Sequence, residues 1–201
     1  MATEISICSN ALLRLGAEPI SSFDEGDSSG SNIERARLAS NLWPTVRRQV
    51  LRAHPWNVAI KRALLSPDAA PPAFGHTYRF QRPGDWLRTV AVGQDEDDRV
   101  EWRTEGGYFL CDETPFYLVY VYDNPNPATY DASLVAALEV AMAAAMAYPV
   151  TKSTSLAQAL SQELQQHLMF ARTLDGQDDP PDTLGDFPLY SSRFGNNTAA
   201  R

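Results

Sequence analysis

The sequence predicts an α+β fold: a four-helix bundle with an inserted small antiparallel β-sheet region and an extended C-terminal tail. Three observations lead there. Apolar residues recur at threes and fours in two early and two late segments, the spacing of amphipathic helices. Between them, residues 77–123 alternate apolar and polar side chains around turn-forming glycines, the spacing of strands. From Gln177 onward the chain is rich in Pro, Gly, Asp and Asn and cannot bury enough apolar surface to fold alone.

Thr3 is placed to cap a first helix from about Glu4 to Leu15, with Ile5, Cys8, Leu12 and Leu15 on one face and Gly16 as a left-handed C-cap. Ser21 to Gly30 is an acidic, serine- and glycine-rich connector. The long second helix opens on Ser31 and Glu34, which have the capping-box spacing. Ile33, Ala36, Leu42, Trp43, Val46, Val50 and Leu51 form its apolar face, and the arginines at 35, 37, 47, 48 and 52 lie mostly off it. Pro44 predicts a kink or a fresh start, and Pro55 a stop. His54, Pro55 and Trp56 mark a structural hinge between the bundle and the β insertion. Trp43 and Trp56 read as core residues rather than interface anchors, from their position on an apolar helical face. His54 reads as a helix-end packing residue, where the helix dipole favours a partly positive imidazole.

Ala59 to Leu65 is short and mixed, and a proline-rich linker follows. About four strands are expected from Thr77 to Asp123. Phe116–Tyr122, FYLVYVY, lacks a polar face and should be covered on both sides. Asp131 or Ser133 opens a third helix that Pro149 ends. Ser153 or Ser155 caps a fourth, with Leu156, Leu160, Leu164 and Leu168 in one stripe. The expected domains are therefore 1–65 with 124–176 as the helical bundle, 66–123 as the β insertion, and 177–201 as an extended C-terminal arm.

The formal net charge is −8 and the isoelectric point about 4.8, which argues against a general DNA- or anionic-membrane-binding surface. The basic residues are nearly all arginine, with lysine only at 61 and 152. Arginine forks suit ion-paired protein interfaces, although coding bias gives the same composition. Cys8 and Cys111 lack CxxC spacing and read as buried thiols. No signal peptide is expected, and the apolar run Ala136–Val150 is too short to span a bilayer.

Three stretches together resemble the tail tubular protein A family, the head-to-tail adaptors of short-tailed bacteriophages. They are Asn10–Gly16 (NALLRLG), Leu42–Arg52 (LWPTVRRQVLR) and His54–Leu65 (HPWNVAIKRALL). Ala171–Asp175 (ARTLD) is also similar. The resemblance implies a non-enzymatic virion protein of the phage tail or neck, synthesised in the host cytoplasm. It implies a ring of twelve copies below the portal protein, carrying the tail nozzle (a protein like tail tubular protein B). Genome DNA would pass non-specifically through its channel. No membrane partner follows from it.

The residues point to no cofactor, metal or catalytic site. His54, His76 and His167 lack metal-ligand spacing, and there is no P-loop, nucleophile elbow or dinucleotide turn. Asp95-Glu96-Asp97-Asp98 is the best carboxylate cluster and reads as a solvated hairpin loop. The interface candidates are Trp86 and Trp102 in the small sheet region, Phe187, Leu189, Tyr190, Arg193 and Phe194 in the tail, and Arg47 and Arg48 on the long helix. Two readings from other classes stand beside the adaptor. One is an envelope-degrading, peptidoglycan hydrolase-like virion enzyme using a carboxylate pair from 95–98 or from Asp112 and Glu113. The other is a chaperone or regulator binding through the arginine-bearing helix.

Overall fold

The computed structural model describes residues 1–24, 31–94 and 100–178. Its helices are α1 (Glu4–Arg14), α2 (Ser31–Ala53), α3 (Ala132–Thr151) and α4 (Thr154–Asp175). Six strands lie between α2 and α3: β1 (Ile60–Leu65), β2 (Tyr78–Gln81), β3 (Trp86–Val92), β4 (Trp102–Glu105), β5 (Tyr108–Cys111) and β6 (Phe116–Tyr122).

The fold is α+β, but it is not a four-helix bundle. In a bundle each helix turns one stripe toward a shared axis. Here α3 is apolar all round and occupies the centre itself. Leu134, Ala137, Leu138, Val140, Ala141, Met142, Ala143, Met146 and Ala147 are all buried, and α1, α2 and α4 each pack against this one helix. Its alanines let three neighbours approach closely; the sequence marks that feature, but a bundle expectation assigns it the wrong place. At 20 residues α3 is also longer than the apolar run read from the sequence and, by length and composition, long enough to cross a membrane.

Local signals set the helix ends. The Thr3 hydroxyl accepts from Ser6 N–H at 3.0 Å, and the Ser6 hydroxyl is bonded back to Thr3 N–H, completing a capping box. Gly16 follows with φ +71°. Asp131 caps α3 and Ser153 caps α4. No second segment begins at Pro44, which lies inside an unbroken α2, and Pro149 does not end α3, which continues to Thr151, where Lys152 turns left-handed at φ 57°. The Ser31 side chain, expected to cap α2, lies outside the described residues.

The single sheet expected from the sequence is instead two three-stranded antiparallel sheets, ordered β1-β6-β3 and β2-β5-β4. They pack face to face over Phe80, Phe109, Cys111, Phe116, Leu118 and Tyr120, with the Phe116 ring stacked 5.0 Å from Phe80 and 5.3 Å from Phe109. The mixed segment after Ala59 is a strand. β1 pairs with β6 from Ile60↔Val121 to Leu65↔Phe116. Its faces are half apolar on both sides because both are partly covered, which blurs the alternation a sequence reading relies on. The first β sheet joins the helical core at one end only, where Val121, Ile60 and Leu87 pack with the helices.

Candidate interaction surfaces

The junction between helices and strands is built on α2. Arg47, 8% exposed, reaches Asp123 Oδ1 through Nη2 at 2.8 Å and Nε at 3.0 Å, while its Nη1 lies 3.6 Å from Glu4 of α1. From the next residue, Arg48 Nε holds Asp123 Oδ2 at 2.8 Å. A carboxylate just beyond β6 thus receives two guanidinium groups from α2, and the sandwich is clasped to the helices. Arg52 donates to the Leu87 carbonyl on β3 and completes the row. Next to it, the buried Asn124 amide donates to Val58 O at 2.9 Å and to Thr129 Oγ1 at 3.0 Å. Arg47 and Arg48, named as interface candidates, therefore sit in an intrachain clasp. The sequence marks their partner Asp123 only as the end of a strand, because nothing local couples residues so far apart.

The hinge residues form a second tie. Trp56 is buried, its Nε1 donates to Val50 O at 3.0 Å, and the His54 ring meets it edge-on at 4.8 Å. Trp43 is buried as well. The end of α4 returns to this corner: Asp175 accepts from Asn57 N–H at 3.2 Å, and His54 Nε2 lies 3.5 Å from its carboxylate. Arg172 donates to the Ala53 carbonyl at 3.3 Å. Burial lowers the His54 pKa below its ordinary 6.5, against the opposing pull of Asp175. The imidazole is thus biased to neutral, not to the partly positive form expected from the helix end alone.

Trp86 and Trp102 are both partly buried against Phe109, at 6.2 and 5.8 Å. Trp86 also lies beneath two guanidinium groups, Arg82 at 4.4 Å and Arg52 at 5.7 Å, and its Nε1 donates to Thr89 at 3.1 Å. Among the described residues, the large apolar side chains that do face solvent are others, including Leu64, Phe74 and Val90 in the β region and Leu13, Tyr148, Met169 and Phe170 on the helices. Periodicity alone marks Leu13, Met169 and Phe170 as off-stripe; the exposure of Leu64 and Phe74 depends on how the sheets close. Phe187, Leu189, Tyr190, Arg193 and Phe194 lie outside the described residues, as do residues 95–98.

The outer face of the second sheet carries a groove of about 690 Å³ lined by Phe74, His76, Glu101, Trp102, Glu105 and Asp112, among others. Asp112 accepts from Thr77 N–H at 2.7 Å, from the Thr77 hydroxyl at 2.9 Å, and lies 3.2 Å from His76 Nδ1. Led by the Thr77 backbone bond, these contacts hold its carboxyl below the ordinary range. A lowered pKa keeps this carboxyl ionised, which rules against a general-acid role and makes it a weaker base than an ordinary carboxylate. Among the described residues, no group of three or more His, Cys, Asp or Glu side chains is placed to hold a metal ion.

Compared with known proteins, the chain matches no family model and no curated protein.

Proposed function

We propose that this protein is a structural head-to-tail adaptor of a short-tailed phage, a ring-forming connector between portal and tail nozzle. Beside the resemblance of Asn10–Gly16, Leu42–Arg52 and His54–Leu65, one observation supports the reading. A helical part and a β-sandwich are clasped into one chain through Arg47, Arg48 and Asp123, and both parts keep large apolar side chains in solvent, Met169 and Phe170 on one and Leu64 and Phe74 on the other. Exposed apolar residues on a chain of this kind fit protein contacts better than small-molecule chemistry. The net charge of −8 suits a conduit that repels phosphate and lets duplex slide.

The test is to mix the purified protein with the portal protein of the phage that encodes it and image the product by electron microscopy. A ring-on-ring particle is expected; absence of any complex at micromolar concentration overturns the reading. Acidic residues placed away from the lumen in such a ring overturn the conduit argument.

The groove with Glu101, Glu105 and Asp112 favours the envelope-hydrolase reading as the alternative. A peptidoglycan-clearing assay decides it: clearing that is lost in Asp112→Asn supports an enzyme, and intact peptidoglycan removes it.

A further inference from the structure

We propose that the two outer faces of the β-sandwich are the two halves of one head-to-tail contact between copies of this chain. The β1-β6-β3 face of one copy seats on the grooved β2-β5-β4 face of the next. The proposal deepens the adaptor reading, on which it rests, by naming surfaces that join its subunits.

The first half is an apolar face that the helices stop short of covering. Along β1-β6-β3, the row Ile60↔Val121 is packed into the helical core. The following rows, Arg62↔Val119↔Ala91 and Leu64↔Tyr117, lie beyond it. Leu64 is 62% exposed, Val90 43%, and a depression of about 200 Å³ runs between Arg62, Leu64, Tyr117 and Val119.

The second half is on the opposite side of the sandwich. Phe74 stands 88% exposed on the strap before β2, between the groove of about 690 Å³ and another of about 300 Å³; Glu105 and Leu110 line both. A projecting phenyl ring thus faces away from a depression of apolar character on the same molecule.

Charge selects the pairing. Among the described residues, Arg62 carries no ion pair, and neither do Glu101 and Glu105 on the grooved face. β1, β6 and β3 carry no Asp or Glu, so setting this face against its own copy supplies Arg62 with no counter-charge from its strands. Setting it against the grooved face brings Arg62 toward Glu101 and Glu105, although Arg103 also lines that groove. Because the halves lie on opposite sides of the chain, the contact is heterologous: it propagates into a ring or filament and does not stop at a dimer.

Cysteine cross-linking of the full chain tests this. Cys8 and Cys111 are buried, so thiols introduced by Leu64→Cys and Phe74→Cys are the accessible ones. Each variant is treated with a short bismaleimide, alone and after incubation with portal protein. Either single variant should give no cross-linked dimer, their mixture should give dimers only, and the chain carrying both substitutions should give a ladder of trimers and above. Arg62→Glu or Glu105→Arg should cut the ladder about tenfold, and the two reversals in one chain should restore it. Dimers from Leu64→Cys alone, or no ladder with or without portal protein, overturn the proposal. A ladder without portal capture leaves this contact standing and removes the adaptor reading; portal capture without a ladder does the reverse.

Discussion

Arg47 and Asp123 meet at 2.8 Å where the last turns of α2 run past the end of β6, and both side chains are largely withdrawn from solvent, at 9% and 14% exposure. Removing one partner leaves the other charge buried and uncompensated, which costs far more than the pair itself contributes. Asp123→Ala should therefore destabilise the protein by about 3 kcal/mol. Arg48, 57% exposed, shares the same carboxylate from the solvent side, and Arg48→Ala should cost less than about 1 kcal/mol. Urea unfolding followed by circular dichroism measures both; equal losses would show that the clasp does not depend on burial.

His54 gives the fold a pH dependence above the carboxylate range. Its pKa is lowered on folding, mainly by burial, so the unfolded chain takes up a proton before the native state does. The stability it contributes is full above 6.5 and is lost as pH falls from there through its folded value. Asp85, Asp112 and Asp131 are also lowered, but their ordinary value is 3.8 and their losses begin only near it. Thermal unfolding from pH 7 to 5 should show a decline that His54→Gln flattens. An unchanged slope in that variant would assign the decline to another group.

What was legible in the sequence was local. Thr3, Asp131 and Ser153 sit at their cap positions because a capping side chain needs only its next two or three residues. The stripe Leu156, Leu160, Leu164 and Leu168 likewise packs on the core. What failed was global. The all-round apolar character of α3 was present in the letters, yet it specifies a central helix, and reading it as one wall of a bundle misplaced the other three. The division into two sheets depends on pairings such as Ile60↔Val121, distant in sequence and without a local signal. The ties at Asp123 and Asp175 lack a sequence signal for the same reason: one carboxylate lies just past the end of β6 and the other is the last residue of α4, and their partners lie 75 or more residues away.

Trp43 and Trp56 are nearly equally buried, at 2% and 1%, but their indole nitrogens differ. Trp56 Nε1 donates to Val50 O, whereas Trp43 Nε1 has no acceptor among the described residues. Trp→Phe removes similar volume at both sites. At 56 it also strands a carbonyl; at 43 it removes a donor that was already unsatisfied. Trp56→Phe should therefore be the more damaging, by about 1 kcal/mol. Chemical denaturation of the two variants side by side checks the order, and a reversed order would mean that Trp43 is bonded in solution.

The turn between α3 and α4 holds Lys152 at φ 57°, ψ 18°, a left-handed conformation that costs a side chain with a Cβ about 1–2 kcal/mol. Its N–H closes the end of α3 onto Tyr148 O at 2.9 Å, so the conformation is fixed by the cap and cannot relax without releasing it. Lys152→Gly removes the steric cost but gives the unfolded chain more freedom, a partial offset of about 0.5–1 kcal/mol. It also removes the ammonium lying 6.0 Å over the Tyr148 ring. Lys152→Ala removes that same contact and keeps the Cβ, so the difference between the two variants isolates the backbone. The glycine variant should be the more stable of the pair by about 1 kcal/mol in urea unfolding. If the alanine variant matches it, the turn adopts a right-handed conformation in solution and α3 ends earlier than Thr151.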